Sequence, residues 1–277
     1  MKRGFQKMSK INNSVVIPVY NQYEQLKKVL KGFKEQTVDS DEYEIVIVDD
    51  GSTDLLSKER GVVLCEKYNL NIELIHQTNS GRAVARNKGV QYSRGKRIIF
   101  CDADRIPYIN FVREHMWKKI NRKEVIIGNS YDYFGSYKKI EESKFDWNYI
   151  LKMSRNPIFY KKIQNYYLEE KNNNGEFIWL AYLAGNSSID KEIFQSLGGF
   201  NEIFKEWGFE HYELGYRLYK YGINFIINNK IFSFHIPHKR KKNFYKIQIE
   251  KNINLMKSIH PELETSFLTN FFEIGDD

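Results

Sequence analysis

The segment Arg97-Ile98-Ile99-Phe100-Cys101-Asp102-Ala103-Asp104 is an apolar run that stops at two aspartates one residue apart. The apolar residues predict a buried strand, so the aspartates lie at its carboxyl edge. Side chains alternate along an extended chain, and a spacing of two keeps Asp102 and Asp104 on one side. Carboxylates placed there suit a hard divalent cation and, through it, a diphosphate. Acidic residues also end many strands merely because they are solvated. A metal site at Asp102 and Asp104 therefore needs support from motifs elsewhere in the chain.

Strands and helices alternate around this segment. Apolar runs predict strands at 14–19, 43–48 and 71–76, and helical spacing predicts helices near 21–33, 55–68 and 81–92. Asn21 stands three residues before Glu24, which is typical of a capping box at the start of the first helix. This alternation predicts an α/β fold with a parallel sheet and helices on both faces. Ligands of such sheets bind beyond the carboxyl ends of the strands, where polar clusters fall at 18–21, 49–54 and 102–104.

Two of these polar regions offer groups for a nucleotide. Asp50, beside Gly51, could accept a hydrogen bond from a base or a ribose, although Asp-Asp-Gly-Ser is also an ordinary turn sequence. Arg82 and Arg86 lie four residues apart at the start of a predicted helix, where a phosphate is favoured. The alternative for these arginines is that one of them pairs with a strand-end aspartate.

The composition bounds the class of protein. The 277 residues are 42% apolar and 15% aromatic, which excludes a disordered chain. A formal net charge of +8 favours an anionic partner, but the basic residues are scattered and carry no nucleic-acid recognition motif. No apolar run is long enough to cross a bilayer, and Cys65 and Cys101 lie in apolar surroundings, so we expect a cytoplasmic protein. The basic cluster 239–242 leaves peripheral membrane contact open.

The second half of the chain is less regular. Aromatic residues and lysines mix between about 121 and 182, which predicts a partly helical insertion. Further helices are expected at 190–197 and 210–221, a strand pair or edge at 223–234, and a closing helix at 243–259. We therefore predict two halves of one domain, residues 1–120 and 121–238, and a helical tail at 239–277.

Four motifs in their order and spacing resemble the family-two glycosyltransferases of the GT-A fold. They are Val16-Ile17-Pro18-Val19-Tyr20-Asn21, Val48 through Asp54, Asn79 through Gly89, and Asp102-Ala103-Asp104. The resemblance implies a GT-A mixed sheet, a nucleotide-sugar donor that usually carries UDP, and inversion by direct displacement. It also implies donor contacts from Pro18, Tyr20, Asn21, Asp50, Arg82, Arg86, Asp102 and Ala103.

A second resemblance covers Gly198 through Glu202 and Trp207 through Glu213. These segments are similar to the carboxyl-terminal part of galactosyltransferases and chondroitin-polymerase-type enzymes, in which a Glu-Asp pair follows tryptophan and glycine. Here the pair is Glu210-His211, and in that family the aspartate is the usual catalytic base. Inversion needs a group that takes the acceptor proton, and an imidazole that titrates near pH 6.5 can do so. Glu210 is favoured as the base, with His211 and Glu213 as alternatives.

The same resemblance implies a histidine in the metal shell. His235 and His238 follow a predicted strand, and we expect Asp102, Asp104 and His235, rather than His238, to bind the ion. Oxygen and imidazole ligands together favour Mn²⁺ over Mg²⁺. The ion would act as a Lewis acid towards the departing diphosphate.

Two further contacts follow from the resemblance. The stretch from Gly185 to Ser188 matches the family's loop below the donor sugar, so Asn186 is expected to contact hydroxyls there. Trp207 is expected to stack under the sugar or the acceptor, or else to pack in the core. The resemblance also implies that the half 1–120 binds the nucleotide sugar and that the half 121–238 binds the acceptor. The aromatic residues of the insertion would shape the acceptor side, but such residues more often form core, so none is assigned individually; they are Tyr131, Tyr133, Trp147, Tyr149, Tyr166, Tyr167 and Trp179.

Together these features predict a metal-dependent inverting glycosyltransferase. It would move a hexose or N-acetylhexosamine from a UDP-sugar to a glycan, a lipid-linked saccharide or a peptide, most often in polysaccharide biosynthesis. The altered Glu-His pair leaves a catalytically silent nucleotide-sugar-binding module as the alternative. A nucleotidyltransferase is disfavoured because the chain lacks a glycine-rich phosphate loop near its start. The sequence leaves the oligomeric state open.

Overall fold

The computed structural model describes residues 11–53, 67–116, 123–172, 175–205, 208–237, 244–264 and 266–272. The strands are β1 (Asn13–Val19), β2 (Tyr43–Asp49), β3 (Ile72–His76), β4 (Arg97–Cys101), β5 (Arg105–Pro107), β6 (Glu124–Tyr133), β7 (Ser154–Arg155), β8 (Asn186–Asp190) and β9 (Asn224–His235). The helices are α1 (Tyr23–Lys34), α2 (Arg82–Tyr92), α3 (Phe111–His115), α4 (Tyr137–Glu141), α5 (Trp147–Lys152), α6 (Ile158–Asn172), α7 (Lys191–Ser196), α8 (Glu210–Lys220), α9 (Phe244–Ile259) and α10 (Ser266–Phe272). A 3₁₀ helix covers Ile178–Ala181.

All of these strands belong to one mixed sheet. Its order is β3-β2-β1-β4-β8-β6-β9-β5, with β7 paired to β6. Strands β1 to β4 are parallel, β8 runs against them, β6 and β9 return to their direction, and β5 is antiparallel to β9. The carboxyl ends of β1, β2, β4, β6 and β9 therefore meet at one edge of the sheet. The prediction of a mixed α/β sheet flanked by helices is confirmed.

Helices cover both faces of this sheet because the strand residues alternate between two cores. Along β4, Ile98 and Phe100 pack with Phe194 and Phe200 on one face. Ile99 and Cys101 pack on the other face with residues of α1 and α3, namely Leu26, Val29, Leu30, Phe33, Phe111 and Val112. Both faces of β4 are buried, which is the pattern expected of a central strand in an α/β sheet.

Two strands replace elements that we expected to be irregular. The central strand β6 lies inside the segment predicted as an insertion, and its short apolar run ends at a bulge between Ile127 and Asn129. Strand β8 occupies the predicted sugar-contact loop, with Asn186, Ser187 and Ser188 buried in the sheet. Their polar side chains suggested a loop, but hydrogen bonds inside the protein make burial of such groups tolerable. The predicted pair or edge at 223–234 is the single strand β9, which lies between β6 and β5.

The predicted capping box at the start of α1 is wrong. The helix begins at Tyr23 with Gln22 as N-cap, and no side chain caps it. Asn21 instead has a positive φ of 52°, and its Oδ1 accepts a hydrogen bond from the backbone nitrogen of Thr53 at 2.8 Å. Asparagine is one of the residues that tolerate this left-handed backbone, so Asn21 ties the end of β1 to the turn after β2.

The tail packs on α8. The ring of Phe272 lies 5.2 Å from that of Phe209 and 5.4 Å from that of Tyr212. His260 Nε2 lies 3.0 Å from Glu213 Oε1, which attaches the turn between α9 and α10 to the same helix. The closing helix predicted at 243–259 is confirmed as α9, and α10 extends the tail beyond it.

Candidate active site

The polar clusters predicted at the strand ends lie along the edge where β1, β2, β4 and β9 end. Pro18 is buried in β1 opposite Val48, whereas Tyr20, one residue beyond the strand, is 47% exposed. An exposed tyrosine beside the turn at Asp50 and Gly51 leaves a ring face open to a ligand. The donor contacts predicted for Pro18, Tyr20 and Asn21 stay predictions.

Asp50 holds the segment that leads into α2. Its Oδ1 accepts hydrogen bonds from Gln77 Nε2 at 2.7 Å and from the backbone of Ser80 at 2.8 Å, and its Oδ2 accepts one from the backbone of Gly81 at 2.9 Å. The preceding turn is tight, because a Cβ on Gly51 (φ +77°) would lie 2.7 Å from the nitrogen of Asn79. Asp50 thus stabilises the turn by accepting hydrogen bonds from residues 77–81, and its contact with a nucleotide stays a prediction.

A buried arginine joins two of the predicted motifs. Arg86, on α2, is 1% exposed and donates from Nη2 to Asp102 Oδ1 and from Nη1 to Glu210 Oε1, both at 2.7 Å. One of the two predicted arginines therefore pairs with a strand-end aspartate. Burial alone would raise the pKa of Asp102, but the charges of Arg86, Arg82 and Arg105 outweigh it and hold the pKa far below its usual range. The carboxylate of Asp102 is ionised at neutral pH.

The Asp-Ala-Asp triplet lies in the turn between β4 and β5, so strand alternation does not set the direction of its side chains. Asp102 Oδ2 accepts a hydrogen bond from Arg105 Nε at 3.3 Å, and Arg105 also donates to Tyr160 Oη at 2.9 Å and to Ser130 Oγ. Ala103 is buried in the turn. We did not predict Arg105 as a site residue, although a cation directly after two aspartates is a signal that could have identified it.

Asp104 faces a histidine across the sheet. Its Oδ2 lies 3.7 Å from His235 Nε2 and accepts a hydrogen bond from Gln22 Nε2 at 3.1 Å. His235 Nδ1 lies 2.7 Å from Asp132 Oδ1. Burial raises the pKa of Asp104, but the interaction with His235 outweighs it and lowers that pKa below its ordinary value. The predicted pair of Asp104 and His235 is thus brought together, and Asp132 was missed because it lies in the unexpected strand β6.

The residues that can ligate a metal are therefore few. Within the described part of the chain, no group of three or more acidic, histidine or cysteine side chains converges on one point. His238, the alternative ligand, and Trp207 lie outside the described residues, as do Cys65 and the basic cluster 239–242.

The predicted catalytic trio splits into different environments at the start of α8. Glu210 is fully buried, with Oε1 paired to Arg86 and Oε2 buried without a hydrogen-bond partner among the described residues. Glu213 is also buried and pairs with Arg217 at 2.6 Å on the same helix. The side chain of His211 is 15% exposed, and its Nδ1 lies 3.7 Å from Glu210 Oε1.

The charges around Glu210 keep it ionised. Burial raises its pKa, but the interaction with His211 and the charges of Arg86 and Arg82 outweigh burial and hold the pKa well below the ordinary value. The residue before it, Phe209, has a positive φ of 68°, which is unusual for a bulky residue and marks local backbone strain. The strained turn directs Glu210 into the interior and leaves His211 nearer the surface.

Asn186 makes its hydrogen bonds within the protein. Its Nδ2 donates to Ser233 Oγ at 2.9 Å and to the carbonyl of Asn129 at 3.0 Å, and its Oδ1 lies 3.0 Å from His115 Nε2. The preceding residue approaches the site more closely, since a Cβ on Gly185 would lie 2.4 Å from Asp102 Oδ2. This close approach explains why a residue without a side chain stands at position 185, and the contact of Asn186 with a sugar hydroxyl stays a prediction.

Most of the aromatic residues predicted for the acceptor side lie in the core. Trp179 and Tyr133 are buried, and Tyr131 and Trp147 pack against Phe234 with ring centroids 6.3 and 6.1 Å apart. The side chains of Tyr166 and Tyr167 lie outside the described residues. The described rings stabilise the second half of the sheet, and their part in acceptor binding stays a prediction.

The chain belongs to glycosyl transferase family 2. The model of that family matches residues 14–197, and a model described as the N-terminal domain of galactosyltransferase matches residues 165–248. The two matched regions contain the Asp102 turn and the Glu210 helix that Arg86 connects.

The relatives and solved structures agree with that family. Uncharacterized glycosyltransferase YfnE of Bacillus subtilis is 26% identical over 81% of this chain, and validoxylamine A glucosyltransferase of Streptomyces hygroscopicus subsp. jinggangensis is 27% identical over 90%. The chain spans 64% and 61% of these relatives.

The structure of the mannosyltransferase PcManGT from Pyrobaculum calidifontis in complex with GDP-Man and Mn²⁺ matches 92% of this chain and 65% of its own at 15% identity, with a TM-score of 0.61. That of GalNAc-T7 with UDP, GalNAc and Mn²⁺ matches 95% of this chain and 54% of its own at 17% identity, with a TM-score of 0.59. These neighbours show the GT-A fold.

No helix among the described residues is long and apolar enough to span a membrane.

Proposed function

We propose that the protein is a metal-dependent inverting glycosyltransferase that moves a hexose or N-acetylhexosamine from a UDP-sugar to a saccharide or peptide acceptor. The observation that carries this proposal is the buried ion chain from Asp102 through Arg86 to Glu210. It joins the strand-end aspartates, which suit a divalent cation and, through it, a diphosphate, to the helix that carries the candidate bases. Family membership and neighbours solved with UDP or GDP-Man and Mn²⁺ support the proposal.

The donor set at Asp104 and His235 fits a divalent cation. Ligands of one cation with bonds of about 2.1 Å lie between about 3 and about 4.2 Å apart, and Asp104 Oδ2 lies 3.7 Å from His235 Nε2. Asp132 on the other ring nitrogen is the usual second partner of a metal-binding histidine. Asp104 and His235 would hold Mn²⁺ or Mg²⁺, with substrate phosphates as further ligands. When bound, the ion would neutralise charge on the departing diphosphate.

We assign the base to His211, although the sequence favoured Glu210. Glu210 is fully buried, its charge is paired with Arg86, and its lowered pKa makes it a weak proton acceptor. Glu213 is engaged by Arg217 and His260. His211 is partly exposed, and an imidazole can act as a general base. Glu210, 3.7 Å away, would stabilise the imidazolium that forms when the acceptor oxygen attacks the anomeric carbon.

The test of the activity is nucleotide release from a panel of UDP- and GDP-sugars with Mn²⁺, with and without mixed acceptors. Turnover of at least one donor that depends on Mn²⁺ is the expected result. Binding of a donor without turnover of any of them would instead favour a catalytically silent nucleotide-sugar-binding module. Replacing Asp104 by alanine should abolish the Mn²⁺-dependent turnover. Intact Mn²⁺-dependent turnover would contradict the metal assignment.

The test of the base is the pH dependence of turnover. His211→Asn should lower kcat at least a hundredfold, since general-base catalysis typically contributes a factor of about 10² to 10⁴. His211→Asp should retain part of the activity and move the acidic limb of the profile to lower pH, because a carboxylate titrates below an imidazole. Full activity of His211→Asn would place the base elsewhere.

A further inference from the structure

We infer that Arg155, with Phe134 and Tyr137, forms a binding site for a negatively charged group on a saccharide acceptor. This inference rests on the proposed glycosyl transfer and names the chemical class of its acceptor. Phe134 directly follows β6, Tyr137 begins α4 and Arg155 lies on β7, beside the edge of the sheet that carries His235.

Strand pairing places Arg155 on the same face as the candidate metal ligand. Arg155 of β7 pairs with Asp132 of β6, and Asp132 pairs with His235 of β9. Residues paired across neighbouring strands project to the same face of a sheet. At a strand spacing of about 4.8 Å, the backbone of Arg155 lies about 10 Å from that of His235. That separation corresponds to the space that one or two sugar rings occupy.

Arg155 is available to an anion. It is exposed, and within the described residues no carboxylate lies in ion-pairing distance of its guanidinium. The neighbouring carboxylate, Asp132, is engaged by His235 Nδ1 at 2.7 Å. The guanidinium lies 6.0 Å from the ring centroid of Phe134, which orients its planar fork. A forked, permanently charged donor is suited to carboxylate and phosphate.

One exposed ring lies beside this cation, and a second exposed ring follows it three residues later. Phe134 is 61% exposed and Tyr137 is 50% exposed, which is unusual for large aromatic residues three positions apart. The hydroxyl of Tyr137 donates to the carbonyl of Pro237 at 3.0 Å, two residues after His235. This bond fixes one ring beside the candidate site while its faces stay open. Contiguous exposed apolar groups at a polar edge mark binding surfaces, and ring faces pack well on the C–H faces of sugars.

The charge of the surrounding segment selects the acceptor. Residues 134–162 contain seven lysines and arginines but three acidic residues. Glu141 lies 3.6 Å from Lys28, Glu142 lies 2.9 Å from Lys139, and Asp146 caps α5. Each acid has a partner within the protein, so the segment keeps an excess of four positive charges (seven against three), of which that of Arg155 is exposed. A neutral acceptor would make no use of them, whereas uronic acids and sugar phosphates would.

The experiment measures binding of three oligomers to the full chain by calorimetry at low salt. The probes are hexagalacturonate, a glycerol-phosphate hexamer and the neutral maltohexaose, so that carboxylate and phosphodiester sources are distinguished. At least one anionic oligomer should bind tenfold or more tightly than maltohexaose. Arg155→Gln should weaken that binding about tenfold, as expected for loss of a charge-assisted hydrogen bond, and Arg155→Lys less than that. Tyr137→Ala should weaken binding of the same oligomer.

Lys96→Gln is the matched control, since Lys96 is an exposed cation that precedes β4 at the opposite end of the strand from Asp102. It should change the affinity less than twofold. The inference is overturned if maltohexaose binds as well as the anionic oligomers, if neither anionic oligomer binds, or if Arg155→Gln and Lys96→Gln have equal effects. Adsorption to phosphatidylglycerol vesicles that depends on Arg155, without oligomer binding, would also overturn it in favour of a membrane surface. Nucleotide release by the unmodified chain tests the proposed activity separately, because it needs none of these oligomers.

Discussion

Replacement of Arg86 by methionine removes the cation that joins Asp102 to Glu210. In the native protein both guanidinium contacts are 2.7 Å long, and the side chains of Arg86 and Glu210 are 2% and 1% exposed. Methionine keeps most of the buried volume, so the change mainly concerns charge. The side chain of Asp102 is 19% exposed and retains Arg105 at 3.3 Å, whereas Glu210 loses its strongest partner.

Breaking a buried ion pair by removing one partner costs about 3 to 5 kcal/mol. We therefore expect Arg86→Met to lower the free energy of unfolding by that amount at pH 7.5. In the native protein the lowered pKa of Glu210 contributes stability above the pKa of the unfolded chain, and this contribution is lost as the pH falls through the native pKa. Without Arg86 the pKa of Glu210 should rise above its value in the unfolded chain. Protonation of Glu210 on acidification then reduces the cost of its unpaired buried charge by about 1.4 kcal/mol per pH unit.

Urea unfolding at pH 7.5 and pH 5.5 measures both effects. The difference between Arg86→Met and the native protein should shrink by at least about 1 kcal/mol at the lower pH. Adding Glu210→Gln to Arg86→Met should recover about 2 kcal/mol or more, which a double-mutant cycle reports as coupling. Arg82→Met, which removes a charge one turn earlier, is the control. A loss below about 1 kcal/mol for Arg86→Met, or strictly additive effects, would refute the reasoning.

Three further predictions concern the surroundings of the site. Burial lowers the pKa of His115 to about 3, so the unfolded chain gains a proton that the native protein does not. Stability should therefore fall by about 2 kcal/mol between pH 7 and pH 5, and the pH slope of unfolding of His115→Gln should lack this component. Gly185→Ala should lower kcat/KM at least tenfold with the fold retained by circular dichroism, because its Cβ would lie 2.4 Å from Asp102 Oδ2; unchanged kcat/KM would contradict this. Phe272→Ala should cost about 1 to 3 kcal/mol in thermal unfolding and lower kcat more than it raises the donor KM, because Phe272 supports the strained Phe209. An equal effect on both kinetic constants would argue against that support.

The first half of the fold was predictable because its periodic patterns are strong. The strands at 14–19 and 43–48 are buried on both faces of the sheet. A strand buried on both faces needs apolar residues at nearly every position, which gives a continuous apolar run in the sequence. The apolar-run criterion failed for β6 and β8, because these strands contain buried polar residues whose hydrogen-bond partners are distant in sequence. Asn186, for example, bonds with His115 and Ser233, 71 and 47 residues away. Local pattern carries no information about partners at such separations.

The candidate site was predictable as a set of residue types but not as a network. The resemblance to the family implied the aspartates, His235 and the Glu210 helix, and the structure brings them to one edge of the sheet, while their roles stay predictions. Which arginine pairs with which carboxylate depends on the crossing of α2 over the sheet, so Arg86 remained one of two alternatives. Asp132 and Arg155 were missed because both belong to strands that the sequence does not indicate, although they lie in one row with His235.

The Arg86 pairing also explains why the Glu-His departure from the family pattern is compatible with activity. Glu210 is needed in the interior because it pairs with Arg86, which also pairs with Asp102. Arg86 lies 16 residues from Asp102 in the sequence and 124 residues from Glu210. That duty requires a carboxylate whether or not it takes part in proton transfer. His211, one residue later and nearer the surface, is not needed for this charge balance, so an imidazole can replace the aspartate without disturbing the fold. Under the proposed assignment of the base to His211, the substitution changes only the group that takes the acceptor proton, and we expect a shifted pH dependence and not a loss of catalysis.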